Sequence, residues 1–292
     1  MKTLLTGTFA LGLMAASLGA QAQESIALVV STLNNPFFVT LQEGAEAKAR
    51  ELGYELLVLD SQNDPARELA NVEDVLNRDI AVLMINPTDS DAVRSAIRAA
   101  NRQDVPVVTL DRGANGGEVV SHVASDNVMG GEMAAQFIVD ALADGGKVVE
   151  LQGVPGTSAA RDRGEGFNQV MAAQDNIEIV ASQPADFDRT RGLEVMENIL
   201  QAQPEIDAVF AHNDEMALGA IQAIRGAGRD IMIVGFDGTD DGVAAVQAGE
   251  MLGTVAQQAG RIGELGVEAA HAIIQDEAVP EYTPVPLLMI TE

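Results

Sequence analysis

The 292-residue chain carries 44 acidic against 17 basic side chains, a formal net charge of −27, and has no cysteine. That acid excess disfavours nucleic acid, anionic membrane surfaces and polyanionic ligands. The missing cysteines remove disulfides, thiolate nucleophiles, cysteine-based metal sites and a lipid-modified cysteine at a mature N-terminus. Basic residues are mostly arginine, since Lys2, Lys48 and Lys147 are the only lysines.

In chain order, Met1 and Lys2 supply a short positive region, Leu4 to Leu18 form an apolar stretch, and Ala20-Gln21-Ala22 gives an A-x-A cleavage site. This pattern predicts a signal peptide over 1–22, with the mature chain starting at Gln23. The alternatives, a buried first helix or a membrane anchor, fit less well, because the run is short for a span and a strand-like segment follows directly. Without a lipid anchor, the expected product diffuses freely behind an outer membrane.

The remaining stretch of about 270 residues alternates short β-branched runs with amphipathic helical segments. Strands are predicted at Ile26–Ser31, Leu56–Asp60, Ala81–Ile85, Val105–Asp111 and Glu118–Asp126. The rhythm then restarts with Lys147–Gln152, Ile177–Ala181, Ala208–Ala211, Ile231–Phe236 and Thr254–Ala256. Strands separated by helices at this interval indicate βαβ units and parallel sheets, and their number suits two doubly wound α/β lobes better than one sheet.

In open α/β sheets ligands sit beyond the carboxyl ends of the strands. Residues following the predicted strands include Ser31, Asp111, Arg112, Asn213, Phe236, Asp237 and Gln257. Each alone could simply begin a polar loop; the set gains weight from the aromatics. Phe37 and Phe38 in STLNNPFF, Phe187 in QPADFDR and Phe236 in VGFDG all read as rings in polar loops, whereas Phe137, Phe167 and Phe210 read as core. Placing scarce rings among Asp, Asn and Arg wastes core-forming residues unless they meet a ligand. A neutral polyol needs such a mixture: ring faces for its C–H surfaces, carboxylates and amides for its hydroxyls.

The stretches ALVVSTLNNPFF, LMINPTDSDA, VTLDR, GEVVSHVASDN, GTSAARDRGEGF, SQPADFD, NDEMALGA and IVGFDG are long and specific. Through them the chain from Ile26 onward resembles the periplasmic D-ribose-binding proteins of bacterial ATP-driven (ABC) sugar transporters. The resemblance implies two Rossmann-like lobes of the type I periplasmic binding protein kind, joined by three crossings, with ligand between them. It implies a first lobe of 23–125 plus 258–286 and a second of 126–257 plus 287–292, hinged near Asp126, Gln257 and Leu288. Carried over by position, it assigns ligand contacts to Ser31, Asn35, Phe37, Phe38, Asp111 and Arg112 in the first lobe. In the second it assigns Arg163, Phe187, Asn213, Phe236 and Asp237, with Gln257 at a crossing. Asp111 and Asp237 would accept sugar hydroxyl protons, Arg112 and Arg163 would donate in fork geometry, and Phe37, Phe187 and Phe236 would cover the sugar faces. Ser31 could instead position its loop. His212 departs from the family's more usual Gln and, by strand alternation, should point away from the ligand. The implied partners are D-ribose or a related neutral sugar such as allose, xylose or galactose, and an ABC permease; a chemoreceptor that reads the closed form is a further option. A monomer is the default.

Other chemistry finds little support. His122, His212 and His271 show no HExxH or paired metal spacing, and Ser158 lies in GTSAAR rather than a G-x-S-x-G elbow. Gly113, Gly116 and Gly117 lack dinucleotide spacing and read as a turn. The run from Asp237 to Gly242 resembles a calcium loop but has Ala248 where the bidentate Glu belongs. No enzyme, cofactor or metal is expected. The same fold serves as the effector domain of sugar-responsive repressors, but those open with a DNA-binding helix-turn-helix where this chain offers an export signal.

Overall fold

A computed structural model describes residues 24–291; the predicted signal peptide over 1–22 lies outside them. The first half runs β1 (Ser25–Val30), α1 (Pro36–Leu52), β2 (Glu55–Asp60), α2 (Pro65–Leu76), β3 (Val82–Ile85), α3 (Arg94–Asn101), β4 (Val107–Leu110) and β5 (Ser121–Ser125). Then follow α4 (Asn127–Ala141), β6 (Gly146–Gln152), α5 (Ser158–Met171), β7 (Ile177–Pro184), α6 (Arg189–Ala202), β8 (Ala208–Ala211) and α7 (Asp214–Gly226). The chain ends with β9 (Met232–Asp237), α8 (Asp240–Gln247), β10 (Gly253–Ala256), α9 (Ala259–Ile274), β11 (Tyr282–Val285) and β12 (Leu288–Ile290).

The strands form two six-stranded sheets, ordered β11-β5-β4-β3-β1-β2 and β12-β10-β9-β8-β6-β7. All pairings are parallel except that of β12 with β10. Each sheet repeats the doubly wound order in which the second strand lies outside the first, so each has a switch point where loops diverge and a ligand crevice opens. The chain passes between sheets three times: from β5 into α4, from β10 into α9, and from β11 to β12. Each of the ten strands anticipated from the sequence is present; β11 and β12 are additional, β11 a short edge strand paired with His122, Val123, Ala124 and Ser125 of β5 and β12 an antiparallel partner of β10.

The strands are apolar on both faces because both faces are covered. In the first sheet Ile26, Leu28 and Val30 point to α1 and α9, while Ala27 and Val29 point to the α2 and α3 side. In the second, Val149, Leu151 and Val209 meet α6 and α7, while Val148, Phe210 and Val234 meet α4 and α5. Each such buried aliphatic contributes roughly 1.5–3 kcal/mol relative to exposure. No helix among the described residues is long and apolar enough to cross a membrane.

Helix starts are fixed by side-chain caps at the strand ends. Asn35 accepts from Phe37 N–H before Pro36 opens α1, and Asn213 accepts from Met216 N–H at α7. Asp64, Asp126, Thr157, Asp188 and Thr239 do the same for α2, α4, α5, α6 and α8. Because the strands are parallel, most of these caps lie on the cleft side.

Three helix pairs touch backbone to backbone at glycines. A side chain on Gly44 would strike Gly260, and one on Gly263 would strike Leu41, across α1 and α9. Gly131 and Gly166 stand in the same relation across α4 and α5, as do Gly192 and Gly219 across α6 and α7. Gly166→Val should therefore lower stability by at least about 2 kcal/mol, since the obstacle is the Val128 carbonyl and cannot rotate away. Urea unfolding reads this as a lower midpoint at unchanged slope; Gly226→Ala, which meets nothing within 4 Å, should shift it by less than about 0.5 kcal/mol.

Candidate functional site

The carboxyl ends of the two sheets face each other across a narrow cavity of about 10 Å³. This is less than the roughly 300–1,000 Å³ of clefts that take drug-sized ligands. Its wall brings together Asn35, Phe37, Phe38, Asp111, Arg112, Ala159, Arg163, Phe187, Asn213, Asp237 and Gln257, all at most 8% exposed. The two halves meet directly around it: Ser158 Oγ accepts from Gly113 N–H at 2.8 Å, and Gly156 O accepts from Ser90 N–H at 3.0 Å. The cleft is closed in this structure.

Two acid–base pairs dominate its electrostatics. Arg163 Nη1 lies 3.4 Å from Asp237 Oδ1, and Arg112 Nε lies 3.9 Å from Asp111 Oδ2. Both pairs are buried, so each charge depends on its partner and on further hydrogen bonds. Arg163 is well held: Nε donates to Asn127 Oδ1 (2.8 Å) and Nη1 to the His212 carbonyl (2.5 Å). Arg112 donates to the Pro87 carbonyl at 3.3 Å. Burial lowers the Arg112 pKa, with Asp111 pulling the other way, and burial pushes Asp237 up to about 8 against the pull of Arg163.

Both guanidinium groups are seated on aromatic rings. Arg163 Cζ lies 3.7 Å from the centroid of Phe236 and 5.7 Å from that of Phe187. Arg112 Cζ sits between Phe38 (5.1 Å) and Phe187 (5.3 Å), one ring from each half of the molecule. Phe187 thus contacts both arginines. Phe37 meets Phe38 edge-on, with centroids 5.2 Å apart.

Not all the polar atoms in the wall are satisfied by protein. Asp111 Oδ1, Arg112 Nε and Gln257 Oε1 are buried with no hydrogen-bond partner among the described residues, although Gln257 Nε2 does donate to Asp237 Oδ1 (2.9 Å). Left unpaired, such atoms cost about 1–3 kcal/mol each. Two acceptors and one donor around one cavity suit groups that both donate and accept, as hydroxyls do.

The backbone is strained where these side chains enter. Asp111 (φ 62°), Phe187 (φ 58°) and Asp237 (φ 110°) all have positive φ. For a residue as bulky as Phe187 this conformation is an outlier, of the kind that persists where surrounding structure enforces it.

The structure relocates several sequence-predicted residues. Phe37 and Phe38 are not in a polar loop but in the first turn of α1, where the Asn35 cap aims them inward. Phe236 is within β9, not a loop, and lies beneath Arg163 rather than in the cavity wall. Only Phe187 of the four is in a loop. Ser31 is also behind the wall: its Oγ donates to Asn86 Oδ1 at 2.6 Å, and Asn86 Nδ2 donates to Asp111 Oδ2 at 3.2 Å. It steadies Asp111 through Asn86. His212 points away from the cavity as expected, but into a polar network with Glu150 rather than apolar packing.

Sequence reading missed Asn86, Asn127 and Glu68. Asn86 follows β3 and would have emerged had the strand-end rule been applied to every strand. Asn127, which holds Arg163 from α4, gave no local signal. Glu68 is buried in α2, accepts from Thr88 N–H at 2.7 Å, and is pushed up to about 7 by burial.

Comparison with known proteins places this architecture. Residues 26–278 match the periplasmic binding protein domain. The ribose import binding protein of Haemophilus influenzae is 57% identical over 290 residues, covering 99% of both chains. That of Escherichia coli is 55% identical over 294 residues, covering 100% of this chain and 99% of the relative. A solved solute-binding protein of an ABC transporter from Actinobacillus succinogenes, with bound D-allose, superposes with TM-score 0.87 at 28% identity, covering 92% and 98% of the two chains. The chain belongs to the periplasmic binding protein family.

Proposed function

We propose that this protein captures D-ribose between its two halves in the periplasm and hands it to an ABC-type permease. The observation that carries the reading is the cavity wall: unpaired buried atoms of both hydrogen-bonding senses, beside two Asp–Arg pairs and flanking phenylalanines. Each arginine has a carboxyl group beside it, and the hydroxyls of a neutral polyol serve Asp111 Oδ1, Arg112 Nε and Gln257 Oε1. The relatives named for ribose import support ribose among neutral sugars.

In this reading the first lobe comprises 23–125 with 258–286, the second 126–257 with 287–292, and the three passages between sheets act as the hinge. Sugar bound across the cleft favours the closed form, because it contacts groups from both halves at once. The permease then reads lobe edges whose spacing exists only when the cleft is closed. No bond is made or broken in this cycle.

Titration calorimetry against ribose, allose, arabinose, xylose, galactose and glucose tests the ligand. Tight binding of ribose, with much weaker heats for the others, is the expected outcome. Heat from another sugar alone would replace the ligand and keep the mechanism; silence from all would overturn the sugar reading.

Arg163→Ala should weaken binding by about 3 kcal/mol, over a hundredfold, because Asp237 and Asn127 lose a buried partner. Phe187→Ala should cost less, about 1–2 kcal/mol from lost ring contact. A loss under about threefold for Arg163→Ala would count against its role.

Affinity should also depend on pH. Asp237 is raised to about 8, so the ligand-free carboxyl is protonated through most of the neutral range. Sugar hydroxyls donating to the carboxylate favour its ionised form, so binding releases a proton and tightens as pH rises from about 5 to 8. For folding the sign is opposite. The raised pKa contributes stability below the ordinary carboxyl range and loses it as pH rises through about 8. Asp237→Asn should therefore flatten both profiles; calorimetry in buffers of differing ionisation enthalpy and melts at pH 5 and 8 check it.

A further inference from the structure

We infer that His212, buried behind the cavity wall, is a positioning residue that sets Arg163 and Phe187 in place for the ligand. The inference rests on the sugar-binding reading above and adds to it a residue that touches no sugar.

His212 follows β8 and its side chain is fully buried. Nδ1 accepts from Gly153 N–H at 3.3 Å, which leaves the ring proton on Nε2 to donate to Glu150 Oε1 at 3.0 Å. Glu150, equally buried on β6, also accepts from Ser182 Oγ (2.5 Å) and Gln152 Nε2 (3.1 Å). Burial alone would raise the Glu150 pKa, but these donors outweigh it and hold the carboxylate ionised. The imidazole is thereby clamped at both nitrogens in one tautomer and one orientation.

Two lines run from this clamp to the cavity. The His212 carbonyl accepts from Arg163 Nη1 at 2.5 Å, so backbone displacement at 212 moves the guanidinium that pairs with Asp237. The other nitrogen fixes Gly153, whose Cα lies so close against the Phe187 ring that a Cβ there would overlap it. Gly153 is thus the back-stop that holds Phe187 between Arg112 and Arg163. Ordinary packing would require neither nitrogen to be bonded; here both are, Nε2 to Glu150 on β6 and Nδ1 to Gly153 in the loop that follows it.

The side chain the position requires is one that accepts at Gly153 and donates to Glu150. Gln meets that requirement with its amide oxygen and nitrogen; Leu fills similar space and meets neither half. Calorimetry with D-ribose on the parent protein, His212→Gln and His212→Leu decides the matter, with ligand-free melts run in parallel. We expect His212→Gln to stay within about threefold of the parent. His212→Leu should lose at least about tenfold in affinity, as a charge-linked hydrogen bond dictates. Should His212→Leu fail to fold because Glu150 is left uncompensated, the double variant with Glu150→Gln takes its place under the same threshold. A loss below about tenfold, or a His212→Gln variant as weak as the apolar one, overturns the inference, whatever the melts show. A parent protein silent toward ribose but responsive to another sugar would sink the ribose assignment alone, and the same comparison would then be read with that sugar.

Discussion

Two buried acid–base pairs govern this cleft. A guanidinium in a low-dielectric cavity is tolerable only with its charge matched and its N–H groups engaged. Arg163 has Asp237 beside it, donates through Nε to Asn127 and through Nη1 to the His212 carbonyl, and its Cζ lies 3.7 Å from the Phe236 ring centroid. Arg112 has Asp111 beside it and donates to the Pro87 carbonyl, while its buried Nε has no partner among the described residues. Arg163 is thus the more firmly held of the two, and Arg112 brings a buried, unpaired donor to the cavity.

Much of the surrounding structure exists to hold those pairs. Ser31 and Asn86 stand at the ends of β1 and β3, the switch point of the first sheet, and together orient Asp111. In the second sheet β6 and β8 occupy the equivalent place, and Glu150 and His212 do the corresponding work for Arg163. The two halves therefore solve one problem in the same topological location with different side chains. The caps share the task. Asn35 and Asn213 spend their oxygens on helix N–H groups and leave the amide nitrogens for other partners; Asn213 Nδ2 donates to the Phe187 carbonyl.

What the sequence disclosed follows from the range of the interactions concerned. Strands such as Ile26–Val30 and Val82–Ile85 were legible because burial on both faces leaves continuous apolar runs. Cleft residues such as Asp111, Asn213 and Gln257 were legible because parallel sheets put strand ends on one side. The errors came from judging a ring by its sequence neighbours. Asn35-Pro36 is a helix-start signal, so Phe37 and Phe38 belong to a first turn; the polar flank of Phe236 concealed that it ends a strand under Arg163. The supporting residues stayed hidden for a different reason. Asn127 reaches Arg163 across 36 positions and His212 reaches Glu150 across 62, and no local period encodes such a partnership.

In the hinge cycle proposed above, the same wall makes closure and binding one event. In the closed form Arg112 and Arg163 share the Phe187 ring, and burial first, with the like charge of Arg163 adding to it, lowers the Arg112 pKa. Closure also strips water from Asp111 Oδ1, Arg112 Nε and Gln257 Oε1 without supplying partners among the described residues. At about 1–3 kcal/mol for each unpaired atom, the closed form is penalised by roughly 3–9 kcal/mol until something bonds them. Swinging a two-state hinge from mostly open to mostly closed takes about 5.5 kcal/mol of differential binding. A ligand that satisfies those three atoms provides a free energy of that order. The groups left unsatisfied by the fold are thus the ones that make closure report occupancy.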